Sequence, residues 1–485
     1  MIQKVKSFLF DNNSTKQTII KNTFWYSISQ FAAIAIKSFF VIWVARYFSI
    51  EEYGRFNIAS SFASMFVILA DFGTSQILMR EISQGKADQK RVDYFFTIKV
   101  LLVIFSILVT FGCSFLLGAD WFLLRAIWIF ALYTGLYAFL GFFYYYFMAK
   151  NRMEYLGWGD TCVSAITVIA GIFVIKYHPT TSGLALAYLL AITVVSIVFL
   201  MFFITKIQPL RISFDKEQIL NILRISLPLA AVSFFAIIYN NIDSTILGFY
   251  RKYLEAGYYN SALKIIAVSI MPAGLIASVF APHVNRLFQE SKESLKKILD
   301  AETETMIFLA IGILFGGWAL APNLMGAAYG AKYYLAVPAL RLLLFTSIVF
   351  YFLQPFSQVL IASHNEKKVL YPYIVIAALN VILDLFLVPK YGFMGTAIAS
   401  VIALNSGLFV MVFWAHRERL INFSYSFICR AIFCAIVSSL CIEPMVALSL
   451  KVSDNIFFLV FAGGCSYAIS YVILRFVFLR NIIKE

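Results

Sequence analysis

Long apolar stretches recur along this chain of 485 residues, and they constrain its fold more than any other feature. A helix needs roughly 20 mostly apolar residues to cross a bilayer, and about fourteen stretches reach that length. Hydrophobic residues make up 61% of the chain and charged residues 13%, against about 45–50% and about 25% in soluble domains. The sequence therefore predicts an all-α polytopic membrane protein with spans 1 to 14. Their approximate limits are 23–47, 53–79, 92–117, 121–149, 157–176, 183–205, 225–250, 257–282, 303–321, 333–362, 370–388, 393–415, 424–446 and 455–474.

Lysines and arginines are distributed unevenly between the loops on the two sides. Most of the 39 fall in the two tails and in the loops that follow the even-numbered spans. Because cytoplasmic loops are enriched in these residues, both termini are expected in the cytoplasm. The net charge of +14 follows from this topology, so no nucleic-acid partner is expected.

A short phrase occurs twice in the sequence. "EEYGRFNIAS" starts at Glu51 and "LEAGYYNSAL" at Leu254, and both read Glu-x-Gly-x-aromatic-Asn. Further along, "GLALAYLLA" at Gly183 is echoed by "GTAIASVIA" at Gly395. The copies lie six spans apart, so both enter the membrane from the same side. This is the parallel repeat of a transporter.

The repeat predicts two parallel six-helix bundles around a central cavity, with two peripheral helices. The expected parts are a cytoplasmic N-terminal segment (1–22), an N-terminal bundle (23–205), a cytoplasmic linker (206–224), a C-terminal bundle (225–415), and two additional helices with a cytoplasmic C-terminus (416–485). Rocking of one bundle against the other would expose the cavity to each side in turn.

Charged residues lie within the predicted spans, although each costs about 2.5–3.5 kcal/mol at mid-membrane. They are Lys37, Asp71, Lys99, Arg125, Asp243, Lys264, Arg341 and Asp384. Three of them, Arg125, Arg341 and Asp384, lie near predicted helix ends, so their side chains are expected to reach the interface. Lys37 and Asp71 are placed near the midplane, and Lys99 is intermediate.

Polar residues share a face with these charges on spans 1, 2, 7 and 8. On span 2, one stripe holds Asn57, Ser61, Ser64, Ile68, Asp71 and Ser75, at helical steps of three and four. The residues predicted to line the cavity are Lys37, Lys264, Ser29, Asn57, Ser61, Ser64, Asn240, Asn241, Tyr26 and Tyr259. Alternatively, the small polar residues pack helix against helix, and the tyrosines are interface anchors.

Three stretches resemble the polysaccharide-export flippases. "NVILDLFLVPKYGFMGTAIAS" (380–400) resembles their Asn-x-x-x-Asp…Pro-x-x-Gly-x-x-Gly-x-Ala pattern, and "ADFGTSQILMREIS" (70–83) their Asp-x-Gly…Arg-Glu stretch. "ISLPLAAVSFFAIIYNNIDSTILGFY", with the "AGYYNSALKI" that follows it, is similar to their helix 7–8 pair. The resemblance covers roughly residues 20–415. Within the multidrug/oligosaccharidyl-lipid/polysaccharide transporter superfamily, the chain looks like the O-antigen-type flippases.

The resemblance implies that the protein moves undecaprenyl-pyrophosphate-linked oligosaccharide across the bacterial plasma (inner) membrane by alternating access. Lys37 and Lys264 would screen the pyrophosphate as point charges, and Tyr26 and Tyr259 would stack on sugars. Membrane lipid, a polymerase and other glycan-assembly proteins are the expected partners.

The sequence holds no phosphate-binding Gly-x-x-x-x-Gly-Lys-[Ser/Thr] loop, so ATP hydrolysis by this chain is not expected. Coupling to H⁺ or Na⁺ is expected instead, at Asp71 or Asp243. The alternative is that each carboxylate neutralises a nearby lysine, which for Asp71 would be Lys37. No catalytic residue, organic cofactor or metal site is predicted.

Three other functions fit less well. A lipid II-type flippase would have a similar cavity, and a drug/cation antiporter would favour an acidic one. A membrane glycosyltransferase, polymerase or ligase would need a large loop outside the membrane or a pair of carboxylates. The sequence has no Asp-x-Asp motif, and its predicted external loops are short.

Overall fold

The structure is a computed structural model that describes residues 36–177, 179–363, 366–418 and 425–478. Within these ranges every regular element is helical. A backbone in hydrocarbon must pair its own N–H and C=O groups, and a helix does so within one segment. The prediction of an all-α fold is confirmed.

We number the helices α1 to α14 in chain order, one for each predicted span. The first seven are α1 (36–47), α2 (Ile50–Met65, Val67–Asp71 and Thr74–Ser83), α3 (Gln89–Ser114), α4 (Trp121–Ala149), α5 (Glu154–Tyr177), α6 (Thr181–Phe202) and α7 (Lys216–Phe249). The others are α8 (Tyr253–Glu290), α9 (Lys292–Tyr329), α10 (Val337–Ala362), α11 (Glu366–Tyr391), α12 (Phe393–Arg417), α13 (Tyr425–Ser439 and Ile442–Leu450) and α14 (Ile456–Phe478). Short helical turns occupy Phe115–Leu117, Phe203–Ile207 and Ala331–Ala336.

Eleven of these helices are each long and apolar enough to cross a membrane. Two more qualify as bent spans: α2 turns by 42° and α7 by 49°. Together with the described part of α1, they account for the fourteen predicted spans.

Side chains that cap helix N-termini define several of the boundaries. Asp88 accepts from Arg91 N at 2.8 Å, and Asp120 accepts from Leu123 N at 2.8 Å. Each cap satisfies one of the N–H groups that a helix start leaves without an intrahelical partner. The short polar stretches between the spans therefore start the next helix as well as end the previous one.

The break in α2 has a local cause. Phe72 and Gly73 both adopt left-handed backbone conformations, with φ of 49° and 72°. A Cβ on Gly73 would also lie 3.0 Å from the Leu229 Cβ and 3.1 Å from the Ser226 carbonyl of α7. Glycine fits here because it tolerates positive φ and lets α7 approach the backbone. The stripe predicted for span 2 is therefore interrupted between Asp71 and Ser75.

The chain forms two compact units, one ending at Leu254 and the other starting at Glu255. In the first, α3 packs on α4, and α6 packs on α4 and α5. In the second, α9 packs on α10, and α12 packs on α10 and α11. The same pairs thus recur six helices later, as a repeat would produce.

The boundary between the two compact units differs from the boundary predicted between the two copies of the repeat. The units are divided at the start of α8, whereas the linker was expected at 206–224. Within that stretch, α7 already begins at Lys216, and it packs along the first segment of α2 in the first unit. Helices α13 and α14 pack on α9 in the second unit. The bundle limits of the repeat stay a prediction.

The duplicated phrase has the same structural role in both units. In the first unit, Glu52 Oε2 accepts from the Thr181 N–H at 2.8 Å and from its hydroxyl at 2.5 Å. In the second, Glu255 Oε2 accepts from the Phe393 N–H at 2.7 Å. Each glutamate lies in the first turn of α2 or α8 and binds the N-terminus of α6 or α12. We call this contact the glutamate clamp.

The asparagine that ends the phrase stabilises the same helix turn. The Asn57 amide donates to the Tyr53 carbonyl at 2.7 Å, and the Asn260 amide donates to the Ala256 carbonyl at 2.9 Å. Both asparagines are buried. Asn57 therefore bonds to its own helix, and its predicted place on a cavity surface is corrected.

Candidate functional site

A charged cluster lies at the break in α2. Lys99 on α3 is only 1% exposed, forms an ion pair with Asp71 Oδ1, and donates to Ser75 Oγ at 2.9 Å. Ser75 Oγ donates to the same Asp71 oxygen at 2.5 Å. The Thr74 hydroxyl donates to the Asp71 carbonyl at 2.6 Å, next to the helix break. We call Asp71, Ser75 and Lys99 the Asp71 triad.

The Asp71 triad corrects the predicted partner of Asp71. The expected counter-charge was Lys37, but the structure supplies Lys99, and Ser75 fills a second hydrogen-bond site on the carboxylate. A buried ion pair holds because each charge offsets the desolvation of the other. Removing either partner would leave an uncompensated charge in an apolar surrounding.

Lys37 on α1 has a different carboxylate nearby. It is half-buried and interacts electrostatically with Asp160 on α5. Asp160 is buried, and the Tyr144 hydroxyl donates to it at 3.4 Å. Helix α1 approaches α5 closely where Phe40 lies over Gly171, since a Cβ there would be 2.1 Å from the ring.

Asp160 is absent from the residues predicted from the sequence. Its signal was a carboxylate four positions into predicted span 5, in "GWGDTCVS". A charge that close to a predicted helix end resembles a loop residue. The structure instead starts α5 at Glu154, which places Asp160 almost two turns inside the helix.

The polar residues of α2 and α7 lie on helices that pack together. Ser61 and Ser64 are half-buried on the first segment of α2. On α7, Asn240 is exposed, Asn241 is half-buried and Asp243 is buried. The two asparagine amides donate to Ala236 and Ile237 carbonyls of their own helix, at 2.7 and 2.9 Å. The α2 serines and the α7 asparagines thus lie on two helices that pack against each other.

Lys264 on α8 is an exposed cation of the second unit. Across the described residues it takes part in no ion pair and no hydrogen bond. It lies within a span of mean hydropathy 2.0, where an ammonium facing hydrocarbon is costly. Lys264 is therefore available to an anion that enters from outside the chain.

Other predicted site residues are placed differently. Tyr259 is 0% exposed, and its hydroxyl lies 3.1 Å from Ser400 Oγ, so it has no open face for a sugar. Asp384 was expected to reach the interface but is also 0% exposed. Helix α11 continues through Pro389 to Tyr391, which keeps Asp384 inside the packed helix. Tyr26 and Ser29 lie outside the described residues.

Comparison with known proteins identifies relatives of this fold. A family model described as Polysaccharide biosynthesis protein matches residues 19–288. The Probable low-salt glycan biosynthesis flippase Agl15 of Haloferax volcanii is 21% identical over 189 residues. That alignment covers 39% of this chain and only 40% of the relative's length.

Two solved structures share the architecture. The lipid II flippase MurJ, in an inward closed conformation, matches with a TM-score of 0.75 at 18% identity, over 94% of this chain and 99% of that chain. An inward-facing multidrug resistance MATE family transporter of the MOP superfamily matches with a TM-score of 0.64 at 16% identity, over 80% of this chain and 94% of that chain. The chain therefore has the fold of these transporters.

Proposed function

Since the chain belongs to the polysaccharide biosynthesis protein family, we propose that it is a flippase for a lipid-linked glycan. The glycan flippase among its relatives and the transporter fold support this assignment. The finer form of the proposal is an undecaprenyl-pyrophosphate-linked oligosaccharide, such as an O-antigen repeat unit, moved across the bacterial inner membrane. We propose alternating access as the mechanism, with both termini in the cytoplasm.

The observation that carries the proposal is Lys264. It is exposed on a membrane helix and has no partner among the described residues. A pyrophosphate headgroup brings negative charge that must cross a region of low dielectric constant, and an ammonium in that path lowers the cost. Lys37 adds a second, half-buried cation. The polyprenyl tail needs no polar site, because it remains in the lipid.

Ion coupling is part of the proposal. A membrane potential supplies about 2.3 kcal/mol per charge for each 100 mV, so inward movement of H⁺ or Na⁺ would drive the cycle. Asp71 and Asp243 are the carboxylates proposed for this role from the sequence. Because Lys99 already neutralises Asp71, a coupling ion at Asp71 would have to compete with that lysine.

The test is transport in vesicles that contain the purified protein and a polyprenyl-pyrophosphate oligosaccharide. A membrane-impermeant probe measures the fraction of headgroups that reach the outer leaflet. Lys264→Ala is expected to slow this step about tenfold, which corresponds to about 1.4 kcal/mol. Lys264→Arg is expected to retain most of the rate, because it keeps the charge.

Lys297→Ala is the matched control, since Lys297 is an exposed lysine of the same unit that pairs with Glu293 at 2.8 Å. Wild-type rates for Lys264→Ala at equal protein level would refute the role of Lys264. Supplying lipid II in parallel vesicles separates the two substrate classes: faster movement of lipid II would replace the proposed substrate.

A further inference from the structure

The second unit buries a carboxyl group that the proposed transport site does not use. Glu302 on α9 is 0% exposed. It interrupts a stripe of buried apolar residues formed by Leu295, Leu299, Met306 and Ala310, at the helical spacing of a face that packs on its neighbours. An acidic residue is almost never fully buried unless it is paired or neutral.

Across the described residues, one side chain of α10 forms a hydrogen bond with Glu302. The Gln358 amide nitrogen donates to Glu302 Oε1 at 2.9 Å and to the Ala277 carbonyl of α8 at 3.0 Å. Since a carbonyl only accepts, this second bond fixes the orientation of the amide. Gln358 therefore joins α8, α9 and α10 through one amide group. The other oxygens, Glu302 Oε2 and Gln358 Oε1, are buried without a hydrogen-bond partner.

The charged groups around Glu302 are engaged elsewhere or exposed. On its own helix, Glu304 pairs with Arg475 of α14 and accepts from the Tyr471 hydroxyl at 3.3 Å, and Asp300 interacts with Lys296.

The charged groups on the neighbouring helices are likewise engaged elsewhere or exposed. On α8, Lys264 and His283 are exposed, and Arg286 pairs with Glu290. On α10, the Arg341 guanidinium lies over Trp318, and the Tyr351 hydroxyl donates to Ser269. On α13, Arg430 is exposed. Within the described part of the chain, no cation forms an ion pair with Glu302.

We propose that Glu302 is a proton-binding site that couples protons to movement of α8. A proton from water forms the O–H bond at Oε2, which gives a neutral acid that fits the apolar stripe. Release of this proton to water leaves a carboxylate, which is costly to keep in an apolar surrounding. The contacts of α8, α9 and α10 around Gln358 must then open to hydrate the charge.

This inference rests on the proposed function, because α8 also carries Lys264. Loss of the Glu302 proton would loosen the helix that presents the cation to the headgroup. Glu302 differs from Asp71 in the one respect that matters for coupling. Asp71 has Lys99 as a permanent counter-charge, whereas Glu302 has only a neutral amide.

The first experiment uses dicyclohexylcarbodiimide, which reacts with protonated carboxyls in apolar surroundings. The full-length protein in nanodiscs is labelled across a range of pH, and the modified residue is identified by mass spectrometry. Glu302 is expected to be labelled, with labelling that falls about tenfold for each pH unit above its titration midpoint. Glu304, a buried carboxylate of the same helix that pairs with Arg475, is the internal control and is expected to stay unlabelled. Absence of label on Glu302 at every pH would overturn the proposal.

The second experiment is the pH dependence of transport in the vesicle assay. Glu302→Gln mimics the neutral acid and keeps the acceptor for Gln358, so it is expected to fold but to lose the dependence on a pH gradient. An unchanged response to the gradient would overturn the coupling role. If wild-type protein fails to move the glycan lipid while Glu302 still titrates by labelling, the proposed function fails and the proton site stands.

Discussion

In the first unit the glutamate clamp is part of an ionic network around Arg55, whereas in the second the position that matches Arg55 holds an aromatic ring. Arg55 pairs with Glu51, Glu52 and Asp120 at 2.9, 3.3 and 3.1 Å. The corresponding position of the second phrase holds Tyr258, whose ring lies against Tyr333 and Phe393. The clamp itself needs only a carboxylate at a helix N-terminus, where free N–H groups and the helix dipole favour negative charge.

One carboxylate in each unit shows the same kind of difference: Asp71 is half-buried and Glu302 is fully buried. The first unit offsets Asp71 with the lysine of the Asp71 triad, and the second surrounds Glu302 with apolar residues and one amide. Duplicated helices can thus keep a backbone contact while the charges near it change. The difference separates interactions that the repeat requires from interactions that each copy has acquired by itself.

The largest expected effect concerns the ion pair of the Asp71 triad, compared with the buried Glu302. Lys99→Met should lower the free energy of unfolding by about 3–5 kcal/mol, because it leaves Asp71 without its counter-charge. Glu302→Gln should cost less than about 1 kcal/mol, since the amide replaces a neutral acid of the same shape. The measurement is the midpoint of thermal unfolding in detergent.

Adding Asp71→Asn to Lys99→Met should recover much of this loss, because the double variant carries no unpaired charge. A double variant as unstable as Lys99→Met would contradict the pairing. If Lys99→Met and Glu302→Gln lost the same free energy of unfolding, the proposed difference between a charged, paired Asp71 and a neutral Glu302 would be contradicted.

The next effect concerns the residue before each clamped helix. Gly392→Ala should cost about 2–4 kcal/mol, because φ there is 56° and the new Cβ would lie 1.5 Å from Glu255 Oε2. At the matching place in the first unit, Thr180 caps α6 through Gly183 N at 3.2 Å. Thr180→Ala should lose only that cap, about 1 kcal/mol. The yield of folded protein on gel filtration checks the order, and a reversed order would show that the starts of α6 and α12 are not equivalent.

The smallest effect concerns the clamps themselves. Glu52→Gln and Glu255→Gln both retain an acceptor oxygen, and Glu52→Gln also loses its ion pair with Arg55. That pair is partly exposed, so Glu52→Gln should be the less stable variant by up to about 1 kcal/mol. Glu51→Gln, which loses the more exposed partner of Arg55, serves as the control. High salt should shrink the difference, and a difference unaffected by salt would speak against the ionic network.

The sequence was sufficient for the helices and for the repeat, because apolar length and recurring phrases are local signals. It did not reveal the break at Phe72 and Gly73, since an isolated glycine is tolerated within a helical pattern and the apolar residues resume beyond it. It also did not pair Asp71 with Lys99. Periodicity says which residues share a helix face, whereas the partner depends on which helices meet.

The sequence analysis also misjudged how far two carboxylates lie from the ends of their helices. A predicted span that starts at 303 leaves Glu302 in a loop, but α9 begins at Lys292. Asp384 was placed near water because Pro389 follows it, but the helix continues past that proline. Composition marks where a chain becomes apolar, and helix ends need not coincide with that point.

The Asp71 triad also bears on how the chain is made. Its two charges are 28 residues apart in sequence, so Lys99 leaves the ribosome shortly after Asp71. Inserting Asp71 alone costs about 2.5–3.5 kcal/mol, and this cost is offset only when α3 arrives with its lysine. Helices α2 and α3 should therefore enter the bilayer as a hairpin, and a nascent chain that stops before Lys99 should leave α2 poorly inserted.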